Sequence, residues 1–150
     1  MTDYYAHSGN EHNDWHLLKD HLQAVGQLAE QFADKNNIGL KEAAYWSGLL
    51  HDLGKYRDEF QQYLKKEREG SSETHHAVYG AALAFQNGWL GPAFAIAGHH
   101  AGLHDLDQLQ TLVCNPIYQA NKRLPLLVKQ FEKELGTIVK NITEPPVCCR

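Results

Sequence analysis

Residues 43–55 read Ala43-Ala44-Tyr45-Trp46-Ser47-Gly48-Leu49-Leu50-His51-Asp52-Leu53-Gly54-Lys55. The run is apolar nearly all the way round a helical wheel. It then changes within a few residues to an imidazole, a carboxylate and an ammonium. A helix that is apolar all round belongs in the middle of a domain. The segment predicts a central helix over residues 40–53, stopped by Gly54, with His51 and Asp52 delivered to its buried end. Adjacent helical residues point about 100° apart, which makes a poor chelate for one ion. It suits a carboxylate that bridges a pair of ions, and such a dyad needs further ligands from elsewhere in the chain.

The flanking sequence reads as more helices joined by short loops. Leu18, Leu22, Val25, Ala29 and Phe32 recur at steps of four and three, which predicts a helix over 14–33. Asp14 is its expected N-cap, and Asn36, Asn37 and Gly39 close the unit. A third helix is expected over 56–68 with Phe60, Tyr63 and Leu64 inward. A fourth starts near Glu73 and carries Gly80, Ala81, Ala82 and Leu83. A fifth runs over 92–101 from Pro92, a favoured first helical position. A short one follows over 106–114, and a long one over 118–140, bent at Pro125. The tail 143–150 reads as loose. No period-two run is long enough for a strand, and there is no repeat. The expected fold is all-α: one domain over 1–150, a helical bundle with a metal site in its core.

Composition agrees with this. The chain has 150 residues, 43% hydrophobic and 21% charged, as expected of one globular domain. A formal net charge of −4 argues against a broad electrostatic nucleic-acid binder. Cys114 has no cysteine near it in sequence, and Cys148 and Cys149 are adjacent, so there is neither a C-x-x-C motif nor a disulfide scaffold. With no signal peptide and no membrane-length apolar run, the expected setting is the cytoplasm, away from any membrane.

The ten histidines are the unusual feature. His21 borders the apolar face of the first helix. His75 and His76 open the fourth, with His76 four residues before Gly80, a small residue that lets another helix approach closely. His99 and His100 end the fifth. A single histidine on an apolar face is more often a hydrogen-bonded core residue than a ligand. The aspartate of a lone His-Asp pair is more often a solvated or capping residue. Four helices that each bring histidine to a buried face are different, because every buried polar group needs a partner. One shared metal centre, with ligands projecting inward from facing helices, satisfies them together. His7 is expected to line the site behind the ligands. His12 and His16 read as surface or capping residues, His75 as secondary to His76, and His104 as a loop residue without a role. Asp105 and Asp107 read as caps of the helix at Leu106.

Several strings occur in the order of a known family: Tyr5-Ala6-His7-Ser8, His21-Leu22, His51-Asp52-Leu53-Gly54-Lys55 followed by Phe60-Gln61, His76 with Gly80-Ala81, and Gly98-His99-His100-Ala101-Gly102-Leu103. Over about residues 4–105 the chain resembles the HD phosphohydrolase superfamily. Within it, the chain is most similar to the HD nuclease domain of the type I CRISPR-associated nuclease-helicases. The resemblance implies that His21, His51, Asp52, His76, His99 and His100 bind one or two divalent ions. It gives Asp52 and Lys55 catalytic roles, with Asp52 bridging and Lys55 reaching phosphate. A histidine-rich donor set favours manganese, iron, cobalt or nickel over magnesium alone.

The implied function is hydrolysis of single-stranded DNA, with RNA as a further substrate, in CRISPR interference and antiviral defence. The implied partners are a helicase subunit and a surveillance complex. Tyr4, Tyr5, Tyr56 and Trp89 are candidates for base stacking, and Lys65, Lys66, Arg68, Lys122, Arg123, Lys129 and Lys133 for backbone contact. The family carries a further helix whose aspartate completes a metal site, and the chain is expected to be one helix and one carboxylate short, with Asp105 or Asp107 as stand-ins. Two other readings follow: a phosphohydrolase of nucleotides or cyclic nucleotides, and a catalytically incomplete metal-binding module that docks on a helicase or surveillance complex.

Overall fold

The structure, a computed structural model, describes residues 3–9, 14–36, 39–67, 69–71 and 75–136. Most of these residues lie in seven helices: α1 (Leu18–Lys35), α2 (Lys41–Leu50), α3 (Asp58–Leu64), α4 (Ala77–Gln86), α5 (Leu90–Gly98), α6 (Leu106–Cys114) and α7 (Ala120–Leu135). A 3-10 turn, Leu53–Tyr56, joins α2 to α3. The helical expectation is met. One element was not foreseen: β1 (Tyr5–His7) pairs antiparallel with β2 (His16–Leu17), setting His7 opposite His16. This pair displaces the expected start of α1. The cap is Leu17 rather than Asp14, with no side-chain hydrogen bond.

The core helix is α4 rather than α2. Every residue from Val78 to Ala84 is buried, whereas Ala43, Ala44, Tyr45 and Trp46 on α2 are only half-buried. Small residues explain how the elements close up. A Cβ on Gly48 of α2 would lie 2.7 Å from the Cα of Gly26 on α1, so these two backbones touch. A Cβ on Gly80 of α4 would fall on the Leu50 carbonyl at the end of α2. That second contact brings the first turn of α4 against the residue before His51. Leu50 itself is fully buried, and its truncation to alanine would cost about 2–5 kcal/mol.

Other boundaries are shorter than the periodicity predicts. α2 stops at Leu50, so Gly54 lies in the following turn rather than at the helix end. α3 covers seven residues, with Phe60 buried and Tyr63 exposed. α5 begins two residues before Pro92. α6 has the expected span, and Asp105 caps it through a capping box with Gln108. α7 buries Ala120, Leu124, Leu127, Val128 and Phe131 on one face and continues through Pro125 on its exposed side. The predicted tail 143–150 and His12 lie outside the described residues. Cys114 is disulfide-bonded. Among the described residues no helix is long and apolar enough to cross a membrane.

Candidate metal centre

The end of α2 is the organising point. The helix terminates at Leu50, and the chain turns through His51 and Asp52 into the 3-10 turn. Asp52 is 2% exposed and is surrounded by nitrogen atoms. Its Oδ2 lies 3.1 Å from His21 Nε2 on α1, 3.1 Å from His51 Nε2 and 2.7 Å from Lys55 Nζ. Its Oδ1 lies 3.0 Å from His76 Nε2, at the N-terminus of α4, and 3.7 Å from His99 Nε2, at the C-terminus of α5. His100 joins this second set, its Nε2 3.0 Å from that of His76. One carboxylate thus separates two imidazole groups: His21 and His51 on one oxygen, His76, His99 and His100 around the other. In each group one ligand atom per residue falls within 4.8 Å of the rest.

The tautomers can be read from the backbone. A carbonyl oxygen only accepts, so His51 Nδ1, 2.7 Å from Gly48 O, must carry its proton. His99 Nδ1, 2.7 Å from Ile96 O, must do the same. In the neutral rings both Nε2 atoms therefore present lone pairs towards the Asp52 carboxylate. Acceptors facing acceptors are unfavourable unless a cation lies between them. Asp52 Oδ1, moreover, is buried without a hydrogen-bond partner among the described residues: the His76 contact is close but out of line. An orphaned carboxylate oxygen beside oriented imidazole lone pairs fits a divalent ion. Five nitrogens to one carboxylate suit a transition metal.

Charge agrees with the geometry. Burial alone would push the Asp52 carboxyl up, but hydrogen bonding led by His21 holds it far below the usual carboxylate range. Burial pushes His76 down despite the opposing pull of Asp52, and pushes His100 down with help from His99 and His76. Both rings are neutral near pH 7 and available as ligands. Lys55, expected to reach phosphate, is buried. Two of its three N–H donors are taken by Asp52 and by the Ala6 carbonyl at 3.0 Å.

Residues 18–141 match the HD domain family. The chain belongs to the HD-domain family. HD domains are metal-dependent hydrolases, and the His51-Asp52 pair is the hub of this one's donor set. No curated protein matches the chain. The HD-domain match leaves out β1 and β2, which nevertheless bear on the centre. His7 sits 5.0 Å from the His21 ring and His16 5.5 Å from it, centroid to centroid, and the three form a further histidine group. His16 is exposed, as expected, and β2 nonetheless turns it to the His21 ring. Its placement depends on the register of a pair too short to show periodicity. Asp105 and Asp107, read first as helix caps and only second as stand-in ligands, belong to none of the metal-competent groups among the described residues.

Two positioning residues were missed or undervalued in sequence. Arg57 is 5% exposed and donates to Gly54 O, to Tyr79 Oη and to His75 O, clamping the turn after Asp52 to the segment that carries His76. Gln61 donates to Tyr5 O and Lys55 O and accepts from Tyr5 N, tying β1 to the same turn. The aromatics proposed for stacking are mostly engaged elsewhere: Tyr4 packs edge-on against Tyr56, Tyr5 against Trp15, and Trp89 against Trp46. Arg123, Lys129 and Lys133 line one cavity of about 610 Å³ with Tyr4 and Tyr56, in the company of Asp58 and Glu59.

Proposed function

We propose that this HD domain is a divalent-metal-dependent nuclease that hydrolyses phosphodiester bonds of single-stranded DNA, with RNA as a further substrate. The observation that carries the reading is the division of imidazoles between the two oxygens of Asp52. His21 and His51 would hold one ion, and His76, His99 and His100 a second. Bound there, such ions supply Lewis-acid polarisation of a phosphoryl oxygen and a more acidic water. The chain's own residues do the rest. Asp52 stays ionised and is shared by both ligand sets. The Gly48 and Ile96 carbonyls lock the His51 and His99 rings with Nε2 inward. Lys55 balances the Asp52 charge and steadies it, with one donor left for a phosphate oxygen.

A role in CRISPR interference and antiviral defence, with a helicase subunit and surveillance complex as partners, is supported by the Tyr5-Ala6-His7-Ser8 and Gly98-to-Leu103 strings. The two-group centre supports the chemistry, not that setting. The test is cleavage of labelled single-stranded DNA by the full chain, with chelator and then with manganese, nickel or magnesium. Cleavage is expected only with metal and not with Asp52→Ala. Cleavage that persists in chelator and in Asp52→Ala would overturn the metal mechanism. Hydrolysis of a mononucleotide with no cleavage of DNA would favour the nucleotide phosphohydrolase reading instead.

A further inference from the structure

A cavity of about 500 Å³ opens beside the His76 and His100 half of the centre, and both ligands line it. Its volume lies within the roughly 300–1,000 Å³ of small-ligand sites. The remaining walls include Phe60, Tyr63, Leu112, Tyr118 and Ala101, and among the described residues no Lys, Arg, Asp or Glu contributes to them. Tyr118 is held as a flat wall: its ring stacks on His75 at 5.9 Å and 24°, and its hydroxyl meets His75 Nδ1 at 3.1 Å. Phe60 stands edge-on to His76 at 5.0 Å. His104 completes the lining, and its Nδ1 is buried with no hydrogen-bond partner among the described residues. Leaving a buried polar atom unpaired is costly.

Flat aromatic walls without formal charge do not suit a sugar-phosphate backbone. They suit a planar heteroaromatic ring with polar edges, stacked on tyrosine or phenylalanine. We propose that this cavity holds one nucleobase of the substrate, that of the nucleotide whose phosphate sits at His76, His99 and His100. His104 Nδ1, left without a partner among the described residues, would take one from the base edge. The proposal rests on the phosphodiesterase reading above, and it adds that the centre reads a base next to the scissile phosphate.

The test uses the full chain loaded with manganese. Calorimetric binding of deoxyadenosine monophosphate is compared with that of deoxyribose 5-phosphate, which keeps the phosphate and lacks the base. The base should tighten binding roughly 5- to 150-fold, the size of one aromatic stack. Tyr63→Ala, at an exposed residue, and His104→Phe should each remove part of that gain and leave deoxyribose 5-phosphate binding unchanged. On single-stranded DNA the same variants should raise KM with kcat retained, and an abasic nucleotide beside the cut should mimic them. Equal affinity of the wild type for the two ligands would overturn the proposal, as would variants that weaken both ligands alike. If loaded wild type hydrolyses no diester, the nuclease reading fails, and the binding comparison still decides the cavity.

Discussion

At the scale of single residues, Asp52 has no substitute. It is the carboxylate of both ligand groups it joins, so its replacement should abolish rather than weaken metal uptake. Asp52→Asn is expected to lower bound manganese to background in elemental analysis of the dialysed protein, while His100→Ala, at the rim, should retain part of it. Lys55→Met tests a different role. It removes the ammonium 2.7 Å from Asp52 without removing a ligand, so metal content should persist while turnover falls. His51, Asp52, His76, His99 and His100 were readable because each stands at a helix end, where the apolar pattern stops and a polar group must be justified. Arg57 gave no such signal, since its task is to bind backbone carbonyls and Tyr79, and no pattern of residue types records where a carbonyl points.

Among the elements, the decisive contact is that of α4 with the end of α2 at Gly80. Gly80→Ala would force a methyl onto the Leu50 carbonyl and should cost about 1–3 kcal/mol, read as a lower midpoint in denaturant. Because His76 opens α4 and His51 follows α2, manganese affinity should fall with it. A second tie joins α3 to α7: Arg123 donates to Glu59 at 2.8 Å. Burial would raise the Glu59 carboxyl, but hydrogen bonds from its own backbone and from Arg123 hold it below its ordinary value. A carboxylate with a lowered folded pKa stabilises above its unfolded pKa, and that contribution is lost as pH falls through the folded value. Glu59→Gln should therefore lose about 0.2–1 kcal/mol at pH 7, and the gap to wild type should close as pH falls below the ordinary glutamate range. The 3.6-residue period made the helices legible, including the burial of Phe60 and the span of α6. It could not reveal β1 and β2, whose three and two residues are too few to alternate, and so it hid the neighbourhood of His16. It also ranked α2 above α4 because Tyr45 and Trp46 count as apolar wherever they sit, while the alanines and Gly80 of α4 bury more completely for being small.

For the whole molecule, metal should act as a structural ligand as well as a reactant. A ligand that binds only the folded chain stabilises it by about 2.7 kcal/mol at a hundred times its Kd. Saturating manganese or nickel should accordingly raise the melting temperature by several degrees, chelator should reverse this, and Asp52→Asn should show no response. The candidate donors come from α1, from the turn after α2, from the start of α4 and from the end of α5. Positions 52 and 100, far apart along the chain, bring ligand atoms within 4.8 Å of each other. An ion there works as a reversible cross-link between distant parts of the backbone. Such a link removes the partly opened forms on which proteases act, so the rate of limited proteolysis should register metal supply directly, with no substrate present.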